Sequence, residues 1–171
     1  MNGPKQPILG VDVGGVIIDR DSSLWQSWLF CQSGRYLEVP PVADAFRGLA
    51  QLNRRFGGRV FIISKCDPKT AARTQEWFRH FLFYEETGLD PKQTCFAPDL
   101  AGKTKHCVRL GVTHFIDNRI KFLRLLRIVE ENRLLLSAGG QFWGKLRRPN
   151  GSRIRIFARW PDIVAHLKKT V

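Results

Sequence analysis

Three apolar runs in this chain end on polar side chains. The run Ile8–Val13 carries Asp12 and then enters Gly14-Gly15. Val60-Phe61-Ile62-Ile63 ends on Ser64, and Thr113–Asp117 closes on Asp117-Asn118. A carboxylate at the end of an otherwise apolar, buried strand is costly unless a partner offsets it, so Asp12 and Asp117 call for a functional reading. Ser64 is a hydroxyl of the kind that also satisfies loop backbone. Lys103 opens a helical stretch, where the ammonium would stand beside an anionic ligand. Lys105, one helical step away, faces elsewhere. Each of these four polar groups alone is weak evidence; at strand ends and a helix start they could converge in one crevice, and together they form a constellation.

The elements that must position them alternate. Strands are predicted at Ile8–Val13, Val60–Ile63, Thr94–Ala97, Thr113–Asp117, Leu134–Leu136 and Ile154–Phe157. Val42, Phe46, Leu49, Leu52 and Phe56 recur at steps of three and four, predicting a helix over Pro41–Phe56. Asp67-Pro68 reads as an N-cap followed by proline at the first helical position, opening a helix to about Phe81. Further helices are predicted at Lys103–Leu110, Arg119–Glu131 and Pro161–Lys169. Apolar strands alternating with helices predict an α/β, Rossmann-like three-layer sandwich with a central, mostly parallel sheet. Ligands of such sheets sit outside the carboxyl ends of the strands. Residues 1–171 are expected to form a single domain, with 19–40 as a small flap or cap and 137–152 as a basic, glycine-containing loop.

With 43% hydrophobic and 25% charged residues, the chain is neither disordered nor fibrous. No apolar run approaches the ~20 residues that cross a bilayer. Asp12 interrupts the only apolar stretch near the N-terminus, so no signal peptide is expected. Cys31, Cys66, Cys95 and Cys107 show no metal-binding spacing; reduced thiols and a cytoplasmic location are the expectation, with no membrane partner. The net charge is +13, and it is uneven: residues 119–171 hold 13 basic and 3 acidic side chains. That bias points to an anionic partner. Lys121, Arg124 and Arg127 line one helix face, which reads as solvated. The denser segment Lys145–Arg155, preceded by Phe142 and Trp143, could bind single-stranded nucleic acid by charge and stacking.

In order along residues 8–118, these residues resemble the four short motifs of the haloacid dehalogenase-like superfamily. Ile8-Leu9-Gly10-Val11-Asp12-Val13-Gly14-Gly15-Val16 looks like the first, and Val60–Ser64 like the second. Lys103 is placed like the third, and His114-Phe115-Ile116-Asp117-Asn118 looks like the fourth. The resemblance implies a small-cap phosphohydrolase in which Asp12 attacks phosphorus to give an aspartyl-phosphate. It implies Mg²⁺ held by Asp12, the Gly14 carbonyl and Asp117, with Asn118 just outside the direct ligands. Ser64 would donate to a phosphoryl oxygen, Lys103 would neutralise developing charge, and the Gly14-Gly15 amides would cradle phosphate.

The sequence departs from the family pattern twice. Gly14 stands where most phosphatases of the superfamily carry a second Asp that acts as acid and base, and Asn118 stands for the second Asp of the fourth motif. Asp19 and Asp21 follow closely without supporting spacing. A phosphorylated small molecule, a nucleotide or a nucleic-acid end is the expected substrate. The alternative is a catalytically impaired module that binds phosphorylated ligand or nucleic acid. Lys65 stands beside the proposed site, where it could add positive field, with a solvated loop position the favoured reading; His106 reads as a surface residue, His114 as a satisfied core residue, and Cys66 as an unreactive thiol.

Overall fold

Val, Ile, Leu and Phe dominate short runs, and each run becomes a strand because such side chains fill both faces of a covered sheet. The computed structural model describes residues 6–20, 34–127, 129, 132–137 and 154–171. Among them six strands form one sheet: β1 (Leu9–Val11), β2 (Val60–Lys65), β3 (Thr94–Ala97), β4 (His114–Asp117), β5 (Arg133–Leu136) and β6 (Ile154–Phe157). Their order is β3-β2-β1-β4-β5-β6, and every pairing is parallel. This is the doubly wound order, whose direction reverses beside β1. The crevice at that reversal opens between the carboxyl ends of β1 and β4.

Helices cover both faces: α1 (Ala45–Arg55), α2 (Pro68–His80), α3 (Phe83–Thr87), α4 (Leu100–Leu110), α5 (Ile120–Leu125) and α6 (Trp160–Thr170). Leu49, Leu52, Trp77, Phe83, Trp160 and Leu167 belong to one buried cluster, built by α1, α2, α3 and α6. Cys107, Phe115, Phe122 and Leu123 belong to the second, under α4 and α5. The three layers expected from the alternation are therefore present.

Helix ends differ from the sequence reading for identifiable reasons. α1 starts at Ala45 rather than Pro41, because Asp44 takes a left-handed conformation with φ 62°. α2 starts as predicted, with the Asp67 carboxylate accepting from the Thr70 N–H at 2.9 Å. α4 starts three residues early, since the Asp99 side chain accepts from the Gly102 N–H at 2.7 Å and caps the first turn. α5 stops at Leu125 instead of Glu131. Leu126 leaves the helical conformation, and the turn that follows buries both Leu126 and Val129. α3 was not foreseen; its Phe83 stacks on Phe78 with ring centroids 4.1 Å apart.

The loop after β1 is anchored from both sides. The Trp160 indole N–H donates to the Val16 carbonyl at 2.8 Å, and the Trp77 indole N–H to the Val39 carbonyl at 2.8 Å. Ile18 forms an antiparallel bridge with Pro41, and the Asp19 N–H donates to the Pro40 carbonyl at 3.0 Å. The two ends of segment 19–40 are thus held together. Gly34–Glu38 form a 3-10 helix within it. Residues 21–33 of that segment, and residues 138–153 of the basic loop, lie outside the described residues. No helix among the described residues is long and apolar enough to cross a membrane.

Candidate active site

Register brings the two carboxylates level. Val11 pairs with Ile116 across β1 and β4, and the Asp12 N–H continues the ladder to the Ile116 carbonyl at 3.0 Å. Asp12 therefore stands beside Asp117 at the carboxyl end of the sheet. Lys103, in the first turn of α4, reaches between them. Its Nζ donates to Asp12 Oδ1 at 2.7 Å and to Asp117 Oδ2 at 2.7 Å. The three residues are 6%, 0% and 3% exposed for Asp12, Asp117 and Lys103 respectively. Lys105 is exposed, and it is Lys103 that reaches the two carboxylates.

One cation between two buried carboxylates leaves a net negative charge in a low-dielectric place, where it matters most. Burial works against the Lys103 ammonium, but the charges of Asp12 and Asp117 outweigh it and hold its pKa above the ordinary lysine value. Burial, and then the charge of Asp12, push the Asp117 carboxyl up to about 6 against the pull of Lys103. Asp117 Oδ1 accepts from the Arg119 N–H at 2.7 Å, so both of its oxygens are engaged. Asp12 differs. Its Oδ1 is held by Lys103, while its Oδ2 has no hydrogen-bond partner among the described residues.

Aromatic rings complete the lysine's seat. The Nζ lies 4.2 Å from the Phe122 ring centroid and 5.0 Å from that of Phe115, within the range of a cation–π contact. Gly10 makes room for one of these rings: a Cβ there would meet Phe115 at 2.6 Å.

The triad opens into a cleft of about 120 Å³, lined also by Gly14, Ser64, Arg20, Lys65, Thr70 and Arg119. The Ser64 hydroxyl has no partner among the described residues. The predicted residues Asp12, Gly14, Ser64, Lys103 and Asp117 thus meet in one place. Arg20, Lys65 and Arg119 bring cations to the rim. Nothing in the sequence marks Arg20 and Arg119 as lining residues, since a loop arginine looks like any solvated one; Lys65, expected beside the site with a solvated position favoured, is exposed on the rim.

The Gly15 N–H is engaged within the turn, donating to the Ile18 carbonyl at 2.8 Å. Within the turn 12–18, the N–H groups of Val13 and Gly14 have no acceptor among the described residues. Gly15 serves the site in another way. It holds φ +79°, and a Cβ there would lie 2.1 Å from Asn118 Nδ2. Only glycine permits that turn and that approach together. Asn118 in consequence sits tightly against the loop, with its buried Oδ1 lacking a partner among the described residues.

That orphaned oxygen bears on whether a metal suits the site. Buried carbonyl oxygens are normally paired, and this one lies next to Asp117. The cleft itself is lined by Asp12, Gly14 and Asp117, whose carboxylate and carbonyl oxygens are the donors a hard divalent cation takes up with water filling the remaining positions, Asn118 standing behind them. No three His, Cys, Asp or Glu side chains gather as a metal centre among the described residues, so protein carboxylates alone would not complete a coordination shell. Cys66, Cys95 and Cys107 are unbridged, and burial pushes the Cys107 thiol up to about 12, which makes it inert.

His114 lies in the core as expected but is only half satisfied. Its Nδ1 is 2.8 Å from Thr113 Oγ1, its Nε2 has no partner among the described residues, and its ring meets Phe56 edge-on at 5.3 Å. Burial pushes its pKa down to about 4. A folded-state pKa below the unfolded value of 6.5 means that the unfolded chain binds the extra proton. His114 therefore stabilises the fold above pH 6.5, and that contribution drains away as the pH falls toward 4. Asp117 pulls in the opposite sense over the same range. The difference between wild type and His114→Leu isolates the histidine: urea denaturation at pH 7 and pH 4.5 should show wild type losing roughly 2 kcal/mol more than the variant. Parallel losses would contradict it.

No protein-family model and no curated protein sequence matches the chain. Solved structures do. A crystal structure from Burkholderia xenovorans LB400, described as that of a haloacid dehalogenase-like hydrolase, superposes with a TM-score of 0.63. The identity is 12%, over 97% of this chain and 98% of that one. A crystal structure described as a dehalogenase gives a TM-score of 0.56 at 11% identity, over 99% of each chain. The likeness runs over nearly the whole of each chain and is one of fold. The chain has the haloacid dehalogenase-like α/β fold.

Proposed function

We propose that the protein is a Mg²⁺-dependent phosphohydrolase working through an aspartyl-phosphate on Asp12. The observation that carries this reading is the asymmetric seating of Asp12. Lys103 fixes one carboxylate oxygen at 2.7 Å and leaves the other unpartnered at the cleft. A carboxylate held in one orientation, with its lone pairs free toward an anion-attracting pocket, is what in-line attack on phosphorus requires. The fold shared with the haloacid dehalogenase-like hydrolase and the dehalogenase agrees with hydrolysis as the reaction class.

In the first step Asp12 Oδ2 forms a bond to phosphorus while the bond to the leaving oxygen breaks, and that oxygen takes the electron pair. In the second, water attacks the same phosphorus, inorganic phosphate departs and the Asp12 carboxylate is restored. The Ser64 hydroxyl and the Val13 and Gly14 N–H groups donate to the phosphoryl oxygens. Lys103 keeps Asp12 oriented and offsets the charge that builds up in the transition state. Mg²⁺, held by Asp12, the Gly14 carbonyl and Asp117 with Asn118 close by, would neutralise phosphate charge and orient it. The decisive test is turnover of a panel of acyl phosphates, nucleotides and phosphorylated oligonucleotides with Mg²⁺, and loss of that turnover in EDTA. Absence of any turnover by folded protein would overturn the reading.

A specific observation favours a slow enzyme, and with it the second reading of a binding module. The space beside Gly14 is occupied: a Cβ there would lie 3.2 Å from Arg20 Cδ. An arginine keeps its proton, so it cannot replace a carboxyl that protonates the leaving oxygen and activates water. Gly14 has no left-handed φ, so a side chain is conformationally allowed if Arg20 swings aside. Gly14→Asp is expected to raise kcat/KM for alkyl phosphates about 10²-fold, the low end of what a general acid contributes. Acyl phosphates, whose leaving group needs no proton, should gain little. Equal gains on both, or none, would contradict the account of Gly14.

A further inference from the structure

We infer that the site takes a phosphate ester bearing a second anionic group, which seats in a basic groove continuous with the cleft. This rests on the phosphohydrolase reading and names its substrate class. The groove, about 660 Å³, is lined by Lys65, Asp99, Leu100, Arg119, Lys121 and Phe122, among others. Lys65, Leu100, Arg119 and Phe122 also line the cleft above Asp12, so a ligand in one reaches the other without leaving the surface.

Three features set this groove apart from an ordinary solvated face. Lys65, Arg119 and Lys121 are exposed, and none has an ion-pair partner among the described residues. The one carboxylate in the lining, Asp99, is committed to capping α4 through the Gly102 N–H. The three cations come from separate positions (the end of β2, the turn after β4 and the start of α5) yet meet in one concavity. Unpaired charge of one sign in a concave, partly apolar surface focuses field and gathers anions. The apolar part of the lining, with Leu100 half-buried in it, suits a sugar or base between two phosphates better than a bare polyphosphate.

The second anion has two chemical sources: a further phosphate on a small molecule, or the backbone phosphodiester of a nucleic-acid end. Calorimetric titration of the full chain with a nucleoside 5′-monophosphate, the corresponding 3′,5′-bisphosphate and a 5′-phosphorylated trinucleotide tests the inference directly. Turnover of p-nitrophenyl phosphate, which has no second anion, is followed in parallel. The bisphosphate is expected to bind about tenfold more tightly than the monophosphate at low salt, with the advantage shrinking as salt rises. Lys121→Glu should abolish that advantage and leave p-nitrophenyl phosphate turnover unchanged, because Lys121 lines the groove and not the cleft. A trinucleotide that outbinds the bisphosphate identifies a nucleic-acid end; a bisphosphate that matches or exceeds it identifies a small molecule. Equal affinity for monophosphate and bisphosphate, or an advantage that survives Lys121→Glu, would overturn the inference. A preference for the bisphosphate in a protein that turns over no ester would uphold the groove while removing the phosphohydrolase reading.

Discussion

Asp12→Asn is expected to lower turnover of the best substrate on the order of 10⁴-fold or more, as loss of a covalent nucleophile does, while the protein stays folded. The amide has the shape of the carboxylate and keeps an oxygen for the Lys103 ammonium. It lacks the charge that makes an attacking group. The stability expectation is sharper. Lys103 now stands between two buried carboxylates, 2.7 Å from an oxygen of each, and the site carries one negative charge too many. Removing the Asp12 charge leaves a neutral Lys103–Asp117 pair and ends the push of Asp12 on Asp117. Thermal unfolding should therefore show Asp12→Asn at least as stable as wild type, as befits a residue kept for chemistry at the expense of stability. A variant that keeps more than a tenth of the activity would remove Asp12 as the nucleophile. A variant that fails to fold would remove the electrostatic account of the triad.

Lys103→Met should behave in the opposite way. Methionine approximates the length of the lysine chain and suits the Phe115 and Phe122 rings, so packing is largely kept. Two almost fully buried carboxylates are then left facing each other with no cation between them. Breaking a buried ionic set by removing one partner costs about 3–5 kcal/mol, and a loss of that size is expected at pH 7.5 in urea denaturation. The loss should be pH-dependent. Burial and the charge of Asp12 already raise the Asp117 carboxyl to about 6, and without Lys103 it rises further. A folded-state pKa above the unfolded one means that the contribution is present at low pH and lost as pH rises through the folded value. Lys103→Met should therefore recover much of its deficit at pH 5. A deficit below about 1 kcal/mol, or one independent of pH, would show that the triad is not the electrostatic unit described.

The residues legible in the sequence were those whose burial is physically anomalous. Asp12 and Asp117 end apolar strands, and a charge in that setting has few explanations. Lys103 separated from Lys105 by helical phase. The sheet was readable because its strands are short, apolar and spaced by helical periodicity. Other features depended on relations that a linear pattern does not carry. Phe115 and Phe122 looked like core residues, and they are, but their rings also seat the Lys103 ammonium. Arg20 and Arg119 carry no local mark of their position on the cleft. The Gly14-Gly15 turn was recognised, yet which amide it leaves free depends on the hydrogen bond from Gly15 to Ile18. The early start of α4 was available in principle, since Asp99 three residues before Gly102 is an ordinary cap. The early end of α5 was not, because it follows from the burial of Leu126 and Val129 against the second core cluster.

The most direct test of the central claim is to trap the phosphoryl-enzyme. Wild type and Asp12→Asn would be mixed with acetyl phosphate and Mg²⁺, quenched in acid and mapped by peptide mass spectrometry. The absence of a carboxyl at Gly14 should slow hydrolysis of the adduct and favour its accumulation. A phosphoryl group on Asp12 in wild type, and none anywhere in Asp12→Asn, is the predicted result. An adduct on another residue, or turnover in wild type with the same adduct pattern in both proteins, would contradict the assignment of Asp12.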